Sequence, residues 1–175
     1  MTPSRKLQAC FAVIALLVIV IAAMAYKFIV AGSTGETRDG RTVVLVTPAE
    51  RLFMLNEMRG LFAGVPGLAG ALAREDFAQA AKLARSLGSD PDSAQAATLM
   101  GKLPLDFKAL GLSLDSDFER MAKALETGEA KDSKGVLRQL SGTLQKCVAC
   151  HARYQLGVPA AQAPSLGMRL AAQPR

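Results

Sequence analysis

The sequence contains no tryptophan, two tyrosines and seven phenylalanines among its 175 residues. Proteins that bind single-stranded nucleic acid stack the bases on aromatic side chains, and this chain offers few of them. Its net charge of +6 is also unevenly placed. Between Pro48 and Leu156 there are 14 basic and 13 acidic side chains, so the central region is nearly neutral. These absences argue against nucleic acid as a partner.

Histidine and cysteine are scarce as well, since the chain has one histidine and three cysteines. Cys10 lies in an apolar N-terminal run, which leaves Cys147, Cys150 and His151 as the plausible metal-binding set. A structural zinc site needs four ligands, so zinc is one ligand short. A thioredoxin-like dithiol is expected where a strand enters a helix, whereas the residues before Cys147 follow a helical pattern. No nucleophile and base are recognisable together, so an enzyme is not predicted.

The scarce residues are concentrated in one pentapeptide, Cys147-Val148-Ala149-Cys150-His151. A Cys-x-x-Cys-His sequence is typical of the covalent attachment of a c-type haem. Each thiol can form a thioether with one vinyl group of the porphyrin, and the histidine that follows can ligate the iron. The sequence therefore predicts one covalent haem c, held by Cys147 and Cys150, with His151 as the proximal iron ligand. Zinc and a plain dithiol remain the alternatives.

The second axial ligand of the iron cannot be another histidine of this chain, because His151 is the only one. Met54 and Met58 lie four residues apart, and therefore on one face of a predicted helix. Both methionines could simply fill the core, as methionine often does. Alternatively, one of the two thioethers ligates the iron opposite His151.

An apolar run, Ala9–Tyr26, follows the basic residues Arg5 and Lys6. Because the stem of Lys27 can snorkel, the run extends to Ala31, which is long enough to cross the hydrocarbon core of a bilayer. The charges before it favour a cytoplasmic N-terminus. The alternative is a cleaved signal peptide, for which Ala23-Met24-Ala25 offers a small-x-small cleavage site.

Four amphipathic helices are predicted after this run, with a short helix around Ala94–Met100 in a long connection. Thr47, Pro48 and Glu50 form a helix start with a capping box, and Ser116 and Glu119 form a second possible box. The predicted helices are A (Pro48–Ala63, ended by Gly64-Val65-Pro66-Gly67), B (Arg74–Leu87), C (starting between Ser113 and Ser116 and ending at Gly128) and D (Ser133–Leu156).

Helix D has the clearest periodicity, and it carries the pentapeptide. A 3-4-3-4-3 rhythm predicts that one stripe of side chains points into the protein. The predicted stripe consists of Leu137, Leu140, Leu144, Cys147, His151 and Tyr154.

The sequence as a whole is divided into a membrane anchor in the bilayer (1–31, with the span over residues 7–31), a linker (32–47), a helical haem domain (48–156) and a tail rich in Ala, Pro and Gln (157–175).

Four helices with the haem motif on the last one resemble the class II c-type cytochromes, the cytochrome c-prime family. The resemblance also rests on Leu103-Pro104, Phe107-Lys108, Asp117-Phe118 and the run from Cys147 to Tyr154. It implies an all-α fold, namely an up-down four-helix bundle, here preceded by an N-terminal transmembrane helix. In the low-spin branch of this family a methionine of the first helix ligates the iron. Met58, followed by Arg59 and Gly60, resembles that residue, and Met54 is the alternative.

The resemblance implies a function in single-electron transfer. Because c-type haem is attached outside the cytoplasmic membrane, we expect a single-pass protein of the bacterial inner membrane with its haem domain in the periplasm. The expected partner is a membrane-embedded oxidoreductase or a respiratory or photosynthetic complex. Two alternatives are a cytochrome c-prime with an open distal site that binds nitric oxide or carbon monoxide, and a structural subunit of a membrane complex.

Overall fold

A computed structural model describes residues 3–88, 94–130 and 132–160. This part of the chain is mostly helical, as predicted, with three short strands. The predicted tail lies outside the described residues from position 161 onward. The helices are α1 (Pro3–Ala25), α2 (Pro48–Ala73), α3 (Phe77–Ser86), α4 (Ala94–Met100), α5 (Leu105–Glu126) and α6 (Ser133–Arg153), and the strands are β1 (Thr34–Glu36), β2 (Thr42–Leu45) and β3 (Tyr154–Gly157).

The N-terminal helix α1 continues through a π-helical segment, Tyr26–Ala31. Together they give an apolar stretch, Leu7–Ala31, with a mean hydropathy of 2.8. None of its most apolar window is buried by the rest of the protein. By length and composition this helix can span a membrane.

The chain leaves this helix through Gly32, whose φ of +65° favours glycine. A β-carbon at this position would lie 2.5 Å from the carbonyl oxygen of Lys102 and 2.6 Å from the nitrogen of Pro104. Ser33 N also donates to the Lys102 oxygen at 2.7 Å. The end of the apolar helix is therefore seated directly against the turn before α5.

Replacing Gly32 with alanine should destabilise the protein more than the same change at Gly40. Both residues have a positive φ, but a β-carbon at Gly40 would meet nothing within 4 Å. We expect Gly40→Ala to cost about 1 kcal/mol for the backbone conformation alone. Gly32→Ala should cost about 3 kcal/mol, because overlap with fixed backbone adds to that strain. Denaturant unfolding in detergent, monitored by circular dichroism, checks this. Equal losses in the free energy of unfolding for the two variants would contradict the close packing of Gly32 against residues 102–104.

The segment predicted as a linker contains two strands of a small sheet in the order β1-β2-β3. β1 pairs antiparallel with β2, and β2 pairs parallel with β3, with Thr42 opposite Tyr154. β2 is rich in β-branched residues, but the sequence shows no recognisable partner strand for it. It finds one in the residues after the pentapeptide, so α6 ends at Arg153 and the predicted extension of helix D to Leu156 is wrong.

Helix α2 runs straight through the predicted break and includes Pro66. The capping box of Thr47 and Glu50 is present, as predicted. The glycines permit close packing, since a β-carbon at Gly64 would lie 2.6 Å from Leu87 Cδ2 of the chain after α3. Burial of Leu68 beyond the proline adds packing that outweighs the local breakers. Tertiary contacts thus extend the helix ten residues past the predicted end.

Helix α5 begins directly after Pro104, and not at the serines where helix C was predicted to start. The predicted capping box of Ser116 and Glu119 therefore lies inside the helix and is wrong. Proline disfavours a helical conformation in the residue before it but is well tolerated at a helix start. Pro104 therefore marks the start of α5, which was predicted at the later serines. The short helix α4 is confirmed.

The described apolar core consists of two clusters. The larger one is formed by α2, α3, α5 and α6, and the smaller one lies between the sheet, α2, α4 and α5 beside the pentapeptide. The larger cluster contains Leu68, Ala71, Leu72, Ala80, Ala81, Ala84, Leu87, Phe118, Met121, Ala122, Leu125, Val136 and Leu140. The smaller cluster contains Val44, Val46, Met54, Leu99, Leu103, Phe107 and Tyr154.

Candidate functional site

A cavity of about 600 Å³ lies between α2, α5 and α6. Cys147, Cys150 and His151 of the pentapeptide line it from α6, and Met58 lines it from α2. Met54, the alternative ligand, is not among the described residues of its wall and is instead buried in the smaller cluster. The rest of the wall is mostly apolar and is formed by Leu55, Arg59, Leu61, Phe62, Val65, Phe107, Leu110, Gly111, Leu114, Phe118, Leu144, Lys146 and Val148.

The buried stripe of α6 is offset from the predicted one by about one position. Val136, Leu140 and Thr143 are buried and Cys147 and Cys150 are half-buried, which gives a 4-3-4-3 rhythm. Two residues of the predicted stripe, Leu137 and His151, are exposed. Both thiols therefore face inward, and the imidazole stands at the rim of the cavity.

The environment of the two thiols keeps them protonated at neutral pH. All three cysteines of the chain are free. Burial raises the pKa of Cys147, and burial together with the nearness of Cys147 raises the pKa of Cys150. Two half-buried thiols and an exposed imidazole beside an apolar cavity are a donor set that fits a c-type haem. They can supply two thioether links and one axial nitrogen.

The C-terminal end of the pentapeptide is held firmly against α5. The rings of Phe107 and Tyr154 pack edge to face, with their centroids 5.2 Å apart. Arg153 Nη2 lies 2.8 Å from a carboxylate oxygen of Asp106. Pairing of β3 with β2 fixes the chain immediately after Tyr154. The helix α6, the ring pair of Phe107 and Tyr154 and the strand β3 together fix the position of His151 at the edge of the cavity.

A charged cluster lies at the side of the cavity, between α5 and α6. Lys146 lines the cavity, and its ammonium is 2.5 Å from Asp117 Oδ2 and 3.2 Å from the carbonyl oxygen of Ser113. Thr143 donates to the same carboxylate at 3.1 Å, and Arg120 donates to its other oxygen. Burial alone would raise the pKa of Asp117, but these bonds and charges outweigh it and hold the pKa below its ordinary value.

Replacing Asp117 with asparagine should destabilise the protein by about 2 kcal/mol at pH 7, because Lys146 would lose its counter-ion in a half-buried site. The native carboxylate has a lowered pKa. Its contribution is therefore complete above its unfolded pKa of about 3.9 and is lost as the pH falls through the lower folded value. Thermal unfolding between pH 7 and pH 2 checks this. The variant should lie below the wild type at pH 7 and converge with it in acid, whereas a pH-independent difference would contradict the ion pair.

Several wall residues were not predicted because two helices extend beyond their predicted boundaries. Val65 lies beyond the predicted end of helix A, and Leu110 lies before the predicted start of helix C. The apolar spacing of Leu61, Val65, Leu68 and Leu72 continues at 4-3-4 through the glycines and the proline. That uninterrupted period was the signal that could have extended the helix.

Comparisons with protein-family models, with curated proteins and with solved structures give no match to this chain. Membership of a family is therefore not shown. The function has to be argued from the pentapeptide, the cavity and the residues that surround it.

Proposed function

We propose that the protein is a membrane-anchored monohaem c-type cytochrome that transfers single electrons. The observation that carries the proposal is that Cys147, Cys150, His151 and Met58 line one largely apolar cavity. Its volume of about 600 Å³ lies within the range of cofactor sites in proteins. Two thiols and an imidazole are the groups needed to attach a c-type haem and ligate its iron, and a methionine thioether can serve as the second axial ligand.

The arrangement of helices supports a relation to the class II cytochromes. α2, α3, α5 and α6 contribute to one buried cluster, as the four helices of an up-down bundle do. The pentapeptide lies near the end of the last of these helices, which is where this class carries it. We propose that these helices form an up-down four-helix bundle related to that of cytochrome c-prime.

The distal ligand in this proposal is Met58. It borders the cavity from α2, whereas Met54 is 9% exposed and packs in the cluster under the sheet. A haem with histidine and methionine ligands has a raised reduction potential. Such a haem supplies a one-electron couple, which suits a carrier.

Apolar residues of the cavity wall would contact the haem. Phe62 and Val65 of α2 and Leu110 and Leu114 of α5 present apolar surface to the cavity. Around a bound haem these walls would lower the local dielectric and so affect its reduction potential. The chain also supplies Lys146 at the cavity, and Asp117 holds its ammonium in place.

The membrane helix would keep this domain at the periplasmic face of the bacterial inner membrane. A tether raises the effective concentration of a carrier near any partner in the same membrane. The proposed partner is therefore a membrane-embedded oxidoreductase or a respiratory or photosynthetic complex. A purely structural subunit would not need Met58 at the edge of this cavity.

Gas binding is the second candidate, and one observation favours it. Met58 also borders a neighbouring cavity of about 360 Å³. That space would accept the Met58 side chain if it did not ligate the iron, and the distal face of a bound haem would then be open to a small diatomic molecule.

An absorption spectrum of the oxidised and reduced protein, with and without carbon monoxide, tests both functions. A carrier should be low-spin in both states and unchanged by carbon monoxide. A high-spin spectrum that shifts with carbon monoxide would replace electron transfer by gas binding. A spectrum without haem bands, from cells that attach c-type haem, would overturn both.

A further inference from the structure

The end of the apolar helix is bonded to α5 by Lys108. The Lys108 ammonium donates to the carbonyl oxygens of Phe28 and Ile29 at 2.8 and 3.1 Å. The last carbonyls of a helix have no partner within the helix, and a cation at that end is favourable. Lys108 therefore caps the segment that leaves the membrane.

Other contacts around this point make the junction compact. The Lys27 ammonium donates to the carbonyl oxygen of Gly32 at 2.6 Å. A β-carbon at Gly101 would lie 3.6 Å from the ring of Phe28. Together with the close packing of Gly32, these contacts hold the domain directly against the end of the membrane span. The two are therefore not joined by a flexible linker.

The part of α5 next to this junction carries exposed apolar side chains. Leu105, Lys108 and Leu112 follow the spacing i, i+3, i+7 and therefore share one face of the helix. Leu105 is 45% and Leu112 is 59% exposed, and Met100 just before the helix is 38% exposed. A face that combines leucines with a lysine has the composition of a surface that lies in a membrane interface.

The acidic residues of α5 mark where this face ends. Asp115 and Glu119 lie further along the same side of the helix, one and two turns beyond Leu112. Asp106, in the first turn, is paired with Arg153. The apolar and basic surface is thus confined to the first two turns, the part that adjoins the membrane helix.

We propose that the face formed by Leu105, Lys108 and Leu112 lies on the lipid bilayer, with Lys108 among anionic headgroups. The inference rests on the proposed membrane anchor and adds an orientation to it. The occupant is lipid because Lys108 bonds the last carbonyls of the span itself. Those carbonyls must lie where the hydrocarbon core ends. Because Lys108 reaches them, Lys108 and its exposed neighbours Leu105 and Leu112 lie at the same boundary.

The orientation has a consequence for electron transfer. Leu110 and Leu114, on another face of the same helix, line the cavity assigned to the haem, whereas Lys108 and Leu112 border the neighbouring cavity of about 360 Å³. The haem would then lie one helix away from the membrane surface. Electron exchange would be directed toward partners embedded in the membrane.

Photo-crosslinking in native membranes tests the orientation. A benzophenone amino acid replaces Leu112 in one full-length haem protein and Leu137 of α6 in another. Leu137 is also exposed, at 37%. It lies 16 residues before Arg153, which is bonded to the start of α5, or about 24 Å along the helix. After irradiation, mass spectrometry identifies what is bound at each position.

We expect lipid adducts at position 112 at several-fold higher yield than at position 137, and anionic lipid enriched over its share of the membrane. Lys108→Gln should remove that enrichment. Equal yields at the two positions, or adducts of position 112 with a protein only, would overturn the inference. Haem content and resistance of the protein to alkaline extraction are measured in the same samples. Loss of either would overturn the proposed function, whereas their persistence without lipid adducts would overturn the orientation alone.

Discussion

Met58→Ala is expected to convert the haem spectrum from low-spin to high-spin and to open the iron to carbon monoxide. In the proposed function the thioether of Met58, which borders the cavity from α2, is the second axial ligand of the iron. Removing it would leave a bound haem without that ligand. The reduction potential should fall by on the order of 0.1 V, a part of the range of about 0.8 V that axial ligands span. Absorption spectroscopy and redox titration measure both effects.

Two controls separate ligation from packing. Met58→Leu keeps the side-chain volume, so it should cost less than about 1.5 kcal/mol of stability while still giving the high-spin spectrum. Met54→Ala removes a buried side chain and should cost about 2–5 kcal/mol while leaving the spectrum low-spin. Loss of the low-spin spectrum in Met54→Ala but not in Met58→Leu would show that the distal ligand was assigned to the wrong methionine.

The double variant Cys147→Ser with Cys150→Ser is expected to lose essentially all covalently bound haem. A serine hydroxyl cannot replace a thiol in a thioether link, and the two half-buried thiols are the groups placed at the cavity. Haem-dependent peroxidase staining after denaturing electrophoresis measures the covalent product. The single variants should each retain a weaker signal, because one thioether can still form.

Cys10→Ser is the matched control for this result. Cys10 is an exposed residue of α1, far along the chain from the cavity. Full staining is expected in this variant, at the level of the wild type. Staining that persists in the double variant would contradict the assignment of Cys147 and Cys150 to the haem.

The features that could be predicted from the sequence were those encoded locally. The capping box at Thr47 and the apolar helix α1 depend on neighbouring residues, and both are present. The course of α2 through Pro66 and the sheet that joins β2 to β3 depend on distant contacts. Such contacts leave little mark on the local sequence, so the helix was predicted too short, and the strands were assigned to the linker, to helix D and to the tail.

The candidate site divides in the same way. The pentapeptide and the two methionines were recognisable from residue types and spacing. Met58 borders the cavity that the pentapeptide lines, and Met54 is not among the described residues of its wall. This difference depends on how α2 packs, and the spacing of four residues could not predict it. The pair of Lys146 and Asp117 joins α5 to α6 across 29 positions of sequence, and no local pattern announces such a pair.

Intact mass after acid–acetone extraction tests the central claim most directly. This treatment removes haem that is not covalently bound. Protein made in cells that attach c-type haem should exceed the mass of its polypeptide by one haem per chain. An unmodified polypeptide mass from such cells would contradict the proposed cytochrome, whatever the shape of the cavity.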